Sequence, residues 1–114
     1  MDLERTARCM AELGNVTRLR LFGLLVRAAD EGLTIGELRQ ALDMPASTLA
    51  HHLRGMAQAG LVVQERQGRE VRCRPDFQLI NDAWAHFRAE CCQGVELSAP
   101  LPRARADGAA SRCA

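Results

Sequence analysis

The sequence contains no lysine, so all 15 of its basic residues are arginine, and with 14 acidic residues the formal net charge is only +1. This balance excludes a bulk polycation but not a nucleic-acid-binding protein whose positive charge is local. Long hydrophobic runs are also absent, since the longest nearly apolar stretch, residues 21–26, is far too short to span a bilayer. Residues 1–8 lack the apolar run of a secretory signal peptide, so we expect a cytoplasmic protein.

Motifs of common cysteine-dependent enzymes are missing as well. The sequence has five cysteines but neither a Cys-x-x-Cys motif nor a nucleophile elbow. Its three histidines are candidates for a catalytic base by residue type alone. A reducing cytoplasm keeps thiols available to bind ions or to react. We therefore expect a binding protein and not an enzyme.

One domain with five helices is predicted. The length of 114 residues suits a single domain, and regular apolar patterns occupy residues 1–94. Residues 95–114 are rich in Ala, Arg and Pro and have no period, so we expect a flexible tail. The spacing of apolar residues predicts helices over residues 3–13, 16–29, 35–42, 46–59 and 77–92.

Local signals indicate where two of these helices begin and which faces they bury. Asn15 is placed to cap the second helix, and Thr34 with Glu37 has the spacing of a capping box for the third. The positions predicted to be mostly buried are Val16, Leu19, Leu21, Phe22, Leu24, Leu25 and Val26 in the second helix and Leu49, Leu53, Met56 and Ala57 in the fourth.

A charged hairpin is predicted after the fourth helix, because the period changes there to that of a strand. Its strands are residues 61–66 and 70–74, joined by a turn at residues 67–69. Short helix, tight turn, second helix and hairpin follow one another as in a winged helix-turn-helix. The predicted fold is therefore mainly α with a small β-hairpin: five helices and a two-stranded wing. The last helix adds a heptad seam, spaced alternately by three and four residues: Phe77, Ile80, Trp84, Phe87 and Cys91.

The fourth helix has an exposed face that suits DNA recognition. Small polar residues at its start let the backbone approach phosphates and base edges. An arginine further along can pair bidentately with phosphate or guanine. His52, beside Leu53, is open to either a structural role or a base contact. The predicted contacts on this helix are Ser47, Thr48, His51, His52 and Arg54.

The hairpin concentrates positive charge. Residues 54–74 contain five arginines against two glutamates, a local balance of +3. A charge run of this kind can simply solvate a surface hairpin, but the helix pair in front of it favours binding to double-stranded DNA. The predicted contacts on the wing are Arg66, Arg69 and Arg72.

Four segments together carry a family resemblance: residues 13–20 (LGNVTRLR), 47–53 (STLAHHL), 59–62 (AGLV) and 67–71 (QGREV). In this order and spacing they resemble the ArsR/SmtB family of metal-sensing bacterial repressors. The resemblance implies a homodimer formed through the first and last helices, which represses its own operon and leaves the operator when an inducer binds. Ala50 replaces a frequent hydroxyl residue of the family's recognition helix, and Cys73 replaces a frequent wing tyrosine.

Two inducer sites of the family do not match this sequence. The arsenic or cadmium site on the third helix uses a Cys-x-Cys motif, whereas residues 34–38 contain no cysteine. The zinc or nickel site on the last helix needs Asp/His pairs. Here Asp82, His86 and Glu90 lack that spacing, and a solvated helix face is the favoured interpretation.

Cys91 and Cys92 resemble the cysteine pair of an arsenic-responsive subgroup, in which a further C-terminal cysteine completes the site. Soft thiolates suit a soft ion, and three sulfurs suit trivalent arsenite or antimonite. Neighbouring helical residues point about 100° apart, so the helix must end near Cys92 for both sulfurs to reach one ion. Cys113 is the predicted third ligand, with Cys73 and Cys9 as alternatives, and two thiols alone would suit methylarsenite.

A thiol-based redox or persulfide sensor of the same family is the alternative function. Some relatives couple two cysteines through a disulfide or polysulfide bridge, and Cys9 with Cys73 is a candidate pair. Cys73 lies between Arg72 and Arg74, so it is predicted to be the most reactive thiol.

Overall fold

A computed structural model describes residues 1–95 and confirms the predicted fold class. Each predicted helix and hairpin strand agrees with the structure to within one residue at either end. The predicted tail lies outside the described residues except for Val95. The elements are α1 (Leu3–Leu13), α2 (Val16–Ala28), a 3-10 turn (Ala29–Glu31), β1 (Leu33–Thr34), α3 (Ile35–Leu42), α4 (Ala46–Gln58), β2 (Val62–Gln67), β3 (Glu70–Pro75) and α5 (Phe77–Cys91).

Both predicted caps are present. The Asn15 side chain accepts hydrogen bonds from the backbone N–H groups of Thr17 and Arg18, at 2.9 and 3.2 Å. At the start of α3, the Glu37 N–H donates to Thr34 Oγ1 and the Thr34 N–H donates to the Glu37 carboxylate, which completes the capping box. The same backbone hydrogen bond lowers the pKa of Glu37. The Asn15 cap fixes the start of α2, and the capping box fixes the start of α3, the helix that precedes α4.

The wing belongs to a three-stranded antiparallel sheet in the order β1-β3-β2. The hairpin strands β2 and β3 pair in register from Val62 opposite Pro75 to Gln67 opposite Glu70, and Gly68 provides a positive φ of 64° at the turn. The third strand, β1, was not predicted, because a strand of two residues is too short to show an alternating apolar pattern. It pairs Leu33 with Cys73 and thereby attaches the base of the wing to the start of α3.

The buried core lies where α2, α3 and α4 meet the sheet. Two of the seven α2 positions predicted to be buried are exposed: Val16 is 76% exposed and Leu19 56%. The buried face of α2 is instead centred on Leu25, which lies about 180° around the helix from Val16. The largest fully buried side chains are Leu21, Leu25, Leu38, Leu49, Leu53, Met56, Leu61, Cys9 and Cys73. No helix within residues 1–95 combines the length and apolarity needed to cross a membrane.

Gly32 is required where the 3-10 turn passes the sheet. Its φ of 65° and ψ of −169° suit glycine almost alone, and a Cβ there would collide with the Cys73 carbonyl. We expect Gly32→Ala to lower the free energy of unfolding by about 2–4 kcal/mol, measured by urea denaturation. Gly23→Ala is the matched control, since no atom outside its own helix lies within 4 Å of the added Cβ. It should leave stability unchanged or raise it, and equal losses in both variants would contradict this account.

Candidate DNA-binding surface and cysteine pair

The predicted recognition face of α4 is exposed. Leu49, Leu53 and Met56 are at most 1% exposed and hold the opposite face against the core. The helix begins after Pro45, with no side-chain cap on its first backbone N–H groups. First-turn N–H groups without a side-chain cap can bind an anion such as a DNA phosphate. The exposed side chains on this face are Ser47, Thr48, His51 and Arg54.

His52 does not share that exposed face. It is half-buried, and its Nδ1 accepts a hydrogen bond of 3.1 Å from Arg18 Nε of α2. Burial, chiefly, together with the positive charge of Arg18, lowers the pKa of His52. Of the two roles left open by the sequence, the geometry favours the structural one over a base contact.

The wing arginines divide into two groups. Arg66 and Arg69 are exposed near the tip. Arg72 instead donates to the carbonyl oxygen of Glu31 and the side chain of Gln67, at 3.0 and 3.1 Å. We therefore expect Arg72, a predicted DNA contact, to hold the wing in place.

Arg74 is also held by contacts within the protomer. It donates to the carbonyl oxygen of Asp30, at 2.9 Å, and forms an ion pair with Glu65. Of the five arginines in residues 54–74, Arg54, Arg66 and Arg69 remain exposed for a ligand.

α5 ends at Cys91, which brings the two neighbouring sulfurs together. Cys92 leaves the helix with φ −88° and ψ 1°, and the Sγ atoms of Cys91 and Cys92 lie 3.9 Å apart. The Cys91 thiol also donates to the Arg88 carbonyl oxygen, at 3.4 Å. Cys91 is exposed, whereas Cys92 is 3% exposed. A two-thiolate site at this pair requires both cysteines to be reduced.

The other two described cysteines are core residues. Cys9 is 1% exposed and Cys73 is fully buried, and burial raises the pKa of both thiols. The prediction that Cys73 is the most reactive thiol is therefore disfavoured: Arg72 and Arg74 flank it in sequence, but their side chains bind elsewhere. Within residues 1–95, no three His, Cys, Asp or Glu side chains converge to hold a metal ion. Neither Cys9 nor Cys73 thus completes a site with the pair in one protomer, and Cys113 lies outside the described residues.

The heptad seam of α5 lies largely on the surface. Phe77, Trp84 and Phe87 are 51%, 55% and 43% exposed, and we call these three residues the aromatic face. The Trp84 and Phe87 rings stack at 5.8 Å between centroids. Leu79 and Ala83 attach the other side of α5 to the core. An apolar stripe that a single chain leaves exposed indicates a partner surface.

Comparison with known proteins agrees with this geometry. Residues 13–65 match the sequence profile of a helix-turn-helix domain family. No curated protein is significantly similar to the chain in sequence. An ArsR-like transcriptional regulator from Rhodococcus sp. RHA1 is similar in structure, with 24% identity, a TM-score of 0.65, and coverage of 74% of this chain and 76% of that one.

Two further solved structures are similar. A homodimeric winged helix-turn-helix DNA-binding domain from Mycobacterium bovis, a possible ArsR-family regulator, has 23% identity, a TM-score of 0.63, and coverage of 75% and 77%. Reduced HlyU from Vibrio cholerae has 22% identity, a TM-score of 0.61, and coverage of 77% and 90%. The chain therefore shares the winged helix-turn-helix fold of these structures, and its residues 13–65 match a helix-turn-helix domain family.

Proposed function

We propose that this chain is a homodimeric repressor that binds operator DNA and is released when trivalent arsenic or antimony binds the thiolates of Cys91 and Cys92. The observation that best supports the sensing role is the 3.9 Å separation of the two sulfurs at the end of α5. Two thiolates that bind one ion at about 2.3 Å are roughly 3.3–3.8 Å apart. The reduced pair would need to move only slightly.

The DNA-binding role is supported by the exposed side of α4 and the wing. Ser47 and Thr48 lie at a helix start whose N–H groups can meet a phosphate, and Arg54 lies further along the helix. Arg66 and Arg69 extend the positive surface to the wing. The dimer would bind double-stranded DNA, and each protomer would contact one half-site.

The dimer is supported by the aromatic face. Aromatic rings contribute much of the energy of protein interfaces when they become buried, and these three rings are about half exposed in one protomer. The similar domain from Mycobacterium bovis is homodimeric. Cys91 belongs to the same seam, so an ion bound there would alter the packing of α5 against its partner. Release requires that the ion bind the DNA-incompetent dimer more tightly than the DNA-bound one.

Arg69 and Arg72 provide a matched test of the DNA-binding surface. A duplex selected from a random library with the reduced protein serves as the probe, and fluorescence anisotropy gives its Kd over a salt series. Arg69→Ala should weaken binding about tenfold for all sequences. It should also reduce the salt slope, which is the slope of log Kd against log salt concentration, by about one for each protomer, because each protomer loses one phosphate contact. Arg72→Gln should leave the salt slope unchanged. An unchanged slope in Arg69→Ala would remove the wing tip from the contact surface, and sequence-blind binding by the wild type would contradict the repressor proposal.

Arsenite added to the reduced protein–DNA complex tests the sensing role. We expect release of the duplex at a low ratio of arsenite to protein. A thiol-redox sensor is the second candidate, and the exposed Cys91 thiol 3.9 Å from the Cys92 sulfur is the observation that favours it. In that case peroxide or polysulfide would release the DNA and arsenite would not.

A further inference from the structure

Three polar side chains connect the recognition helix to α1 and α2. Arg18 of α2 donates from Nε to His52 Nδ1 of α4, and its Nη1 forms an ion pair with Glu12 of α1. The Arg18 and Glu12 side chains are only 19% and 22% exposed. We call these three residues the interlock. Partial burial shields its charges from solvent, so its contacts are stronger than those of an exposed pair.

Gly55, the third residue after His52, is the position at which the interlock approaches the backbone of α4. A Cβ at Gly55 would lie 2.8 Å from Glu12 Oε2, a distance that real Cβ contacts essentially never show. The absence of a side chain at Gly55 lets the Glu12 carboxylate lie against the helix. Glu12 and Arg18 therefore meet α4 at two adjacent turns, which restrains both its position and its rotation.

The hydrogen bond to His52 depends on protonation. Arginine can only donate, so Nδ1 must be the unprotonated nitrogen of a neutral ring. A protonated ring has two donors, loses this bond and places a second positive charge against Arg18. The charged and titratable groups that act on His52 are Arg18 from α2, Glu12 from α1 and His51 from α4. Glu12 favours the protonated ring, whereas the other two oppose it.

We propose that Glu12, Arg18 and His52 position the recognition helix for DNA, and that protonation of His52 breaks the interlock and weakens DNA binding in mildly acidic solution. This proposal rests on the proposed DNA-binding function, and it makes His52 a positioning residue. The sign follows from the lowered pKa of His52: the intact interlock is fully present above the ordinary histidine pKa of about 6.5 and is lost as the pH falls through the lowered pKa, which lies below that value.

The experiment compares acceptor and non-acceptor replacements at His52. His52→Asn offers an amide oxygen near the position of Nδ1 and does not titrate, whereas His52→Leu has no acceptor. Kd for the selected duplex is measured at about pH 7.5 and about pH 5.5. We expect the rise in Kd on acidification to be about two- to threefold larger for the wild type than for His52→Asn, because a lowered pKa leaves His52 only partly protonated at about pH 5.5. The comparison of the two proteins cancels the contribution of His51. His52→Leu should bind about tenfold more weakly at the higher pH, with thermal unfolding confirming that it is folded.

His86→Gln is the control for histidine replacement as such, and it should keep the wild-type response to pH. Equal pH responses of the wild type and His52→Asn would overturn the proposal, as would wild-type affinity of His52→Leu. Imidazole NMR of the DNA-free protein tests the interlock separately: a neutral ring with its proton on Nε2 is expected, and a proton on Nδ1 would overturn it. Failure of the wild type to select a duplex would instead contradict the proposed function, and the NMR result would still decide the interlock.

Discussion

Arsenite should fail to release DNA from the reduced double variant Cys91→Ser, Cys92→Ser. A serine hydroxyl is a hard, weakly acidic ligand that cannot replace a soft thiolate on arsenic. Operator affinity should stay within about threefold of the wild type, because Cys91 and Cys92 lie at the end of α5 opposite to the one that is joined to the wing. The measurement is fluorescence anisotropy of the preformed complex during arsenite titration. We expect at least about a hundredfold increase in the arsenite concentration needed for release.

Further cysteine variants identify the remaining ligand. Cys113→Ser should raise the required arsenite concentration if Cys113 completes a three-sulfur site, and it should leave a response to methylarsenite, which needs only two thiols. Cys73→Ala serves as the buried-cysteine control and should respond like the wild type, since Cys73 lies in the core and joins no metal cluster within residues 1–95. Normal release by the double variant would exclude Cys91 and Cys92 as the sensor.

Trp84→Glu should convert the dimer to a monomer and weaken operator binding by about a hundredfold or more. The carboxylate would be buried at the aromatic face without a partner, at a cost of several kcal/mol. Two linked half-site contacts would then become separate binding events, so their avidity is lost. Analytical ultracentrifugation measures the oligomeric state, and anisotropy measures Kd.

The fold of the single chain should survive this change. Trp84 is 55% exposed and contributes little to the core, so the monomeric variant should keep its helical circular dichroism. Trp84→Phe retains an aromatic ring and should remain dimeric with nearly normal affinity. A dimeric Trp84→Glu protein with unchanged affinity would show that the interface lies elsewhere.

Much of the fold was accessible from local sequence signals. The caps at Asn15 and Thr34 are short-range hydrogen bonds, and the apolar period of α4 depends only on helix geometry. The hairpin was predictable because its strands are long enough to show a change of period. β1 was not, because two residues form a strand only when another strand is beside them. Val16 and Leu19 were misjudged because apolar spacing identifies a stripe without identifying its neighbours.

In the candidate site, too, some features follow from local sequence and others from contacts between distant segments. Sequence by itself determined the exposed polar side of α4, the local excess of arginine and the adjacency of Cys91 and Cys92, since each follows from composition or helix period. Only the tertiary structure decided which arginines remain exposed, because Arg72 and Arg74 bind carbonyl groups more than 40 positions earlier in the chain. It likewise buried Cys73 and directed His52 to Arg18, 34 positions away, because contacts between distant segments arise only when the elements pack.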